Sequence, residues 1–151
     1  MTPIRVLFLC TGNSARSIIA EALLKKSGGD AFEVHSAGTQ PKGLNPYTVR
    51  VLEQEHFNVG GLRSKSMDEY LDQRFDYVIT VCDRAAELCP VFPGDPERIH
   101  WSFADPAAVE GSDVVKIAAF QVTLREMRQR ISLFIPVALK AVASGTSGLG
   151  R

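Results

Sequence analysis

The stretch that most constrains this chain is Cys10-Thr11-Gly12-Asn13-Ser14-Ala15-Arg16-Ser17. An apolar run, Ile4 to Leu9, precedes it and reads as a buried strand. Ile18 to Lys26 follows and reads as a helix ended by Gly28-Gly29. A cysteine therefore stands where a strand stops, and a Gly-containing turn leads from it into a helix N-terminus. Open α/β sheets bind ligands at the carboxyl ends of their strands. Backbone N–H groups converging at a helix start make an anion site. Arg16 adds a planar fork of donors suited to a tetrahedral oxyanion. That positive setting is expected to favour the thiolate of Cys10, with a further hydrogen bond from Ser17. A lone cysteine at a strand end is commonly a small buried hydrophobe. That reading leaves Gly12, Asn13, Arg16 and Ser17 at the same turn without a purpose.

Strand-like and helix-like segments alternate along the rest of the chain. Phe32–Gly38 reads as a second strand. Asn45 is placed to cap a helix with Pro46 at its first position, which must stop before Gly60-Gly61. Asp68–Leu71 reads as a short helical piece, Phe75–Val81 as a third strand and Arg98–Phe103 as a fourth. From Asp113 to about Val142 apolar residues recur near helical spacing, with Pro136 expected to kink the helix or begin a new one. The pattern predicts one domain, residues 1–143: a four-stranded parallel sheet with helices on both faces. Residues 144–151, rich in Gly and Ser, are expected to form a flexible tail.

The sites after strands one, three and four should share the carboxyl edge. Cys10, Cys82, Cys89 and Asp105 are thereby expected in one crevice. In an intact helix the seven-residue spacing of Cys82 and Cys89 separates their Cα atoms by about 10 Å. A disulfide needs about 4.4–6.8 Å, so the pair bonds only if the segment bends or unwinds. Asp105, before Pro106, is expected to give a proton to a departing oxygen.

Formal net charge is zero, which removes the electrostatic signature of nucleic-acid or anionic-membrane binding. No apolar run reaches spanning length and no signal peptide is readable, so a cytoplasmic enzyme is expected. Three cysteines, an odd number, suit reactive thiols better than a disulfide framework. His35, His56 and His100 are isolated, which argues against a catalytic metal.

The loop resembles the C-x5-R-[ST] phosphate loop of low-molecular-weight protein tyrosine phosphatases. With Cys82, Cys89 and the run Trp101-Ser102-Phe103-Ala104-Asp105-Pro106, the chain resembles the thioredoxin-coupled arsenate reductases of that fold. The resemblance implies that arsenate is bound by Thr11, Gly12, Asn13, Ser14, Ala15, Arg16 and Ser17. It implies attack by Cys10, then disulfides Cys10–Cys82 and Cys82–Cys89 in turn, the last reduced by thioredoxin. Glutaredoxin with glutathione is the alternative reductant, and neither metal nor bound cofactor is called for. Two departures stand out. Ala15 takes the place of a loop cysteine found in some members. Asn13, Glu21 and Ser36 match a potassium site of some members, but its fourth position is Lys65, whose ammonium is expected to replace the cation. A phosphomonoesterase using Cys10, Arg16 and Asp105 is the competing activity. Ala107-Ala108-Val109 lacks the aromatic residue that such phosphatases place after Asp-Pro. A non-catalytic oxyanion-sensing module is a third reading, opposed by the intact nucleophile, arginine and acid.

Overall fold

The computed structural model describes residues 2–144. The glycine- and serine-rich stretch from Gly145 to Arg151, expected as a tail, lies outside the described residues. Four parallel strands form one sheet: β1 (Ile4–Cys10), β2 (Phe32–Gly38), β3 (Tyr77–Thr80) and β4 (Glu97–His100), in the order β2-β1-β3-β4. The chain leaves β1 toward β2 on one side and then crosses to β3 on the other. The carboxyl end of β1 is thus the point where the winding reverses, the place where such sheets open a crevice.

Parallel register divides the side chains between two layers. Val6 lies level with Val34 and Tyr77, so Ile4, Val6, Phe8, Phe32, Val34, Tyr77 and Ile79 share a face. Against it pack α1 (Arg16–Gly28) and α4 (Asp113–Ala143), with Phe134 meeting Phe32, Tyr77 and Trp101. Residues Ser17 to Leu24 of α1 are all buried, so this helix is apolar on nearly every side rather than striped. On the opposite face His35, Tyr70, Phe75 and Phe92 form an aromatic layer. The short α3 (Asp83–Glu87) lies on that side too.

The second strand and the Asn45 cap stand as expected; Asn45 Oδ1 accepts from the Tyr47 amide at 2.9 Å, and α2 spans Pro46–Gln54. Three boundaries differ. The third strand begins at Tyr77 rather than Phe75, because Phe75 turns into the aromatic layer and the Asp76 carboxylate accepts from the Arg5 amide at 2.8 Å. The fourth strand stops at His100; Trp101 makes one more ladder bond, to Thr80 O at 2.8 Å, before the chain turns over the site. Pro136 sits inside α4, which continues unbroken to Ala143.

Candidate active site

Cys10 ends β1, residues 11–15 form the loop, and Arg16 opens α1. Asn13 adopts a left-handed backbone, φ 45°, a conformation that asparagine tolerates. Its side chain is wholly buried and bonds in three directions. Nδ2 donates to Ser17 Oγ at 2.7 Å and Ser36 Oγ at 3.0 Å, and Oδ1 accepts from the Lys65 amide at 2.8 Å. Asn13 and Ser17 therefore work beneath the loop as its internal frame and do not line the cavity. The Ser17 hydroxyl oxygen accepts from Asn13, which leaves its proton for the donation to the sulfur that the sequence suggests.

The loop carbonyls face outward and are held from behind by the segment after β2. Thr39 N donates to Cys10 O, Gln40 N to Thr11 O, Lys42 N to Gly12 O and Asn45 N to Ser14 O, all between 2.9 and 3.1 Å. Two hydroxyls add to this: Thr48 Oγ1 to Ser14 O at 2.8 Å and Ser64 Oγ to Gly12 O at 3.1 Å. With their carbonyls occupied on the outside, the loop amides are left to face the cavity. Neither the bracing segment nor Thr48 and Ser64 was found from sequence. Its bonds are mostly from backbone amides, which carry no residue-type signature.

The cavity encloses about 520 Å³ and is lined by Cys10, Thr11, Gly12, Ser14, Ala15, Arg16 and Asp105, with residues 42–46 and Ala107. Arg16 Nη1 donates to Phe103 O at 3.1 Å, and Nη2 lies 3.7 Å from Asp105 Oδ2. The loop after β4 thereby aims the guanidinium. Asp105 Oδ1 accepts from the Ala107 amide at 3.0 Å, which fixes the carboxylate at the rim, 43% exposed.

Cys10 and Cys82 are each 4% exposed and are free thiols. They are hydrogen-bonded to each other, which raises the Cys10 thiol, together with burial, against the lowering influence of Arg16. The same bond lowers Cys82, helped by the Thr11 hydroxyl at 3.3 Å, the Ala85 amide and Arg16. Arg16 lowers the Cys10 thiol as expected, but Cys82 and burial outweigh it, and the two thiols titrate as one coupled pair. Cys89 does not reach this crevice, contrary to expectation. It lies past the end of α3, half-buried in a depression with Val78, Thr80, Arg98 and His100. Those four belong to the sheet face opposite the one that carries Val6 and Phe8.

Lys65 is buried below the loop. Its Nζ donates to Arg63 O at 2.8 Å and lies 3.5 Å from both Glu21 Oε1 and Ser36 Oγ. Burial lowers the ammonium from its usual value, and Glu21 opposes that. Glu21 is hydrogen-bonded by Ser36 and paired with Lys25 at 2.6 Å.

The profile of the low molecular weight phosphotyrosine protein phosphatase family matches residues 5–135. An arsenate reductase of Halalkalibacterium halodurans is 42% identical over 129 residues, 85% of this chain and 93% of that one. A solved thioredoxin-dependent arsenate reductase of Corynebacterium glutamicum is 29% identical with a TM-score of 0.68; the match covers 92% of this chain and 64% of that one. A low molecular weight protein tyrosine phosphatase from T. tengcongensis superposes with a TM-score of 0.70 at 24% identity, covering 88% and 98% of the two chains, a likeness of fold. No helix among the described residues is long and apolar enough to cross a membrane. Sheet order, anion loop and matched length agree, and this chain belongs to the low molecular weight phosphotyrosine protein phosphatase family.

Proposed function

We propose that this protein reduces arsenate to arsenite through a thiol relay of Cys10, Cys82 and Cys89. The observation that carries the reading is a second buried free thiol, Cys82, coupled to the loop cysteine and reached by the loop's own Thr11 hydroxyl at 3.3 Å. A phosphatase needs one thiolate in the loop. A second buried thiol, coupled to the first and lowered by Thr11, the Ala85 amide and Arg16, has a use if a bond is to form between them.

Arsenate is held by the loop amides and the Arg16 fork. Moving the shared proton from Cys10 to Cys82 gives the Cys10 thiolate, which attacks arsenic while Asp105 protonates the departing oxygen. Cys82, deprotonated again, attacks the Cys10 sulfur. The electron pair of the S–As bond stays on arsenic, which passes from the pentavalent to the trivalent state and leaves as arsenite. A Cys10–Cys82 disulfide remains. Cys89 then attacks Cys82, Cys10 departs as thiolate, and a dithiol protein of the thioredoxin type reduces the Cys82–Cys89 bond. Glutaredoxin with glutathione is the alternative donor. The segment between the last two thiols suits such a movement. Helix α3 has five residues, and its ends are tied by Ala86 N to Cys82 O at 3.2 Å and Leu88 N to Arg84 O at 3.1 Å. A reducing cytoplasm is the compartment this cycle needs.

The competing phosphomonoesterase would use the same cavity and leave Cys82 and Cys89 idle. The test is arsenate turnover with thioredoxin, thioredoxin reductase and NADPH, with disulfides mapped by non-reducing mass spectrometry. Wild type should turn over repeatedly. Cys89→Ser should stop after one arsenite per chain, holding a Cys10–Cys82 disulfide. Undiminished turnover by Cys89→Ser, or arsenate treatment that leaves every thiol titratable, overturns the relay. Hydrolysis of p-nitrophenyl phosphate without arsenate reduction would favour the esterase.

A further inference from the structure

The carboxyl ends of β3 and β4 set Val78 beside Arg98 and Thr80 beside His100. Residues in register point the same way, so these four form one floor. Ala86 and Cys89 lie over it and close a depression of about 190 Å³. The Cys89 thiol donates to Pro90 O at 3.7 Å, and Arg98 Nη2 donates to the same carbonyl at 2.8 Å. One acceptor thus holds a thiol and a guanidinium side by side. Burial raises the Cys89 thiol, and the charge of Arg98 lowers it. Among the described residues no carboxylate pairs with Arg98, so its charge is not spent on an ion pair.

His100 is bonded at both ring nitrogens. Nδ1 lies 2.8 Å from Thr80 Oγ1 and Nε2 lies 2.9 Å from Asp83 Oδ1, which also accepts from Ser102 Oγ at 3.4 Å. Asp83 follows Cys82 in the chain and opens α3. His100 therefore fastens the Cys82 end of the segment to the sheet, and Arg98 fastens the Cys89 end.

We propose that Arg98 and His100 are positioning residues for the second disulfide exchange, Arg98 steadying the Cys89 thiolate and His100 anchoring Cys82 through Asp83. The proposal rests on the relay reading above. In that step a bond forms between Cys89 Sγ and Cys82 Sγ and the Cys10–Cys82 bond breaks. Cys10 leaves with the electron pair and takes up a proton from solvent, equal to the one Cys89 has released. Cys89 sulfur is oxidised and Cys10 sulfur is reduced by the same amount while Cys82 is unchanged, so the disulfide is moved outward with no outside oxidant or reductant. A thiol raised by burial is almost wholly protonated at neutral pH, and only its thiolate attacks. A cation that shares its carbonyl is what lifts the reactive fraction.

The test uses the full chain. Iodoacetamide labelling of Cys89 is followed against pH by peptide mass spectrometry. The conversion of Cys10–Cys82 to Cys82–Cys89 after one arsenate addition is followed by rapid quench. Arg98→Met should move the Cys89 labelling profile about one pH unit higher and slow the conversion about tenfold. Arg98→Lys should restore most of both. His100→Phe and Asp83→Asn should slow the conversion and leave the labelling profile in place. Arg98→Gln serves as a second neutral replacement should Arg98→Met fold poorly. A wild-type labelling profile and conversion rate in both neutral variants overturn the proposal. If wild type never forms Cys82–Cys89, the relay itself falls, and the labelling profile still reports whether Arg98 acts on Cys89.

Discussion

Gly38 ends β2 against the back of the anion loop, with its amide donating to Lys65 O at 2.8 Å. A Cβ there would stand 2.6 Å from Thr11 O and 3.0 Å from both the amide and the Cβ of Asn13. The Thr11 contact is about 0.8 Å short of ordinary van der Waals approach, and the obstructing atom is backbone, which no rotamer change relieves. In Gly38→Ala the loop must therefore move by most of that distance. Overpacking of this kind costs about 1–3 kcal/mol of stability. The larger effect is expected on chemistry, because the displaced atoms belong to the loop to which the proposed relay assigns the oxyanion. A misplacement approaching 1 Å costs about 100-fold in rate. Urea unfolding gives the first quantity, and arsenate-dependent loss of free thiols gives the second. Gly61→Ala is the control, since a Cβ at Gly61 meets nothing within 4 Å. If Gly38→Ala behaves like Gly61→Ala in both assays, the close packing of the β2 end against the loop does not position it.

Four other substitutions and one change of salt probe separate parts of the site. Asn13→Ala removes three buried hydrogen bonds and leaves alanine at a left-handed φ, so unfolding free energy should fall by about 3–5 kcal/mol in urea melts. Thr11→Val removes a hydroxyl that stabilises the Cys82 thiolate. Cys82 becomes the weaker acid, so its alkylation profile should move about one pH unit higher, measured by mass spectrometry. Arg16→Lys keeps the charge and loses the fork anchored to Phe103 O, and phosphate protection of Cys10 from alkylation should weaken about 10- to 100-fold. If the Lys65 ammonium serves in place of a bound cation, melting temperature should be the same in potassium and sodium chloride. Lys65→Met, which removes one of the two lysines paired with buried Glu21, should lower stability by about 3 kcal/mol.

Much of this arrangement was legible in the residues. The alternation of apolar strands and helices carried the parallel sheet, and the Cys10–Ser17 stretch carried the anion loop. Asn13 carried its own left-handed turn. The errors have physical causes. Trp101 and Phe103 continue the alternating pattern of β4, but after one last ladder bond at Trp101, whose ring packs on Phe8, the chain leaves the sheet and the Phe103 carbonyl turns to Arg16. Strand order alone predicts one crevice along the carboxyl edge of the sheet. A sheet has two faces, however, and strand alternation puts the floor beneath Cys89 on the face opposite Val6 and Phe8. The neighbours of Cys10 in sequence show only Arg16 and the helix start, which lower its thiol. Cys82, 72 residues on, raises it, and no local pattern encodes that. Lys65 came into view only through the family resemblance.

The loop that meets the oxyanion is braced on its far side by residues 39–48, which bond its carbonyls. Of these braces Thr39, Gln40 and Thr48 do not line the cavity. Preference among tetrahedral oxyanions of slightly different size can thus drift through changes in the supporting segment while every contacting residue stays the same. Comparing the contacting residues alone would miss such divergence; the place to look for it is the stretch between β2 and α2.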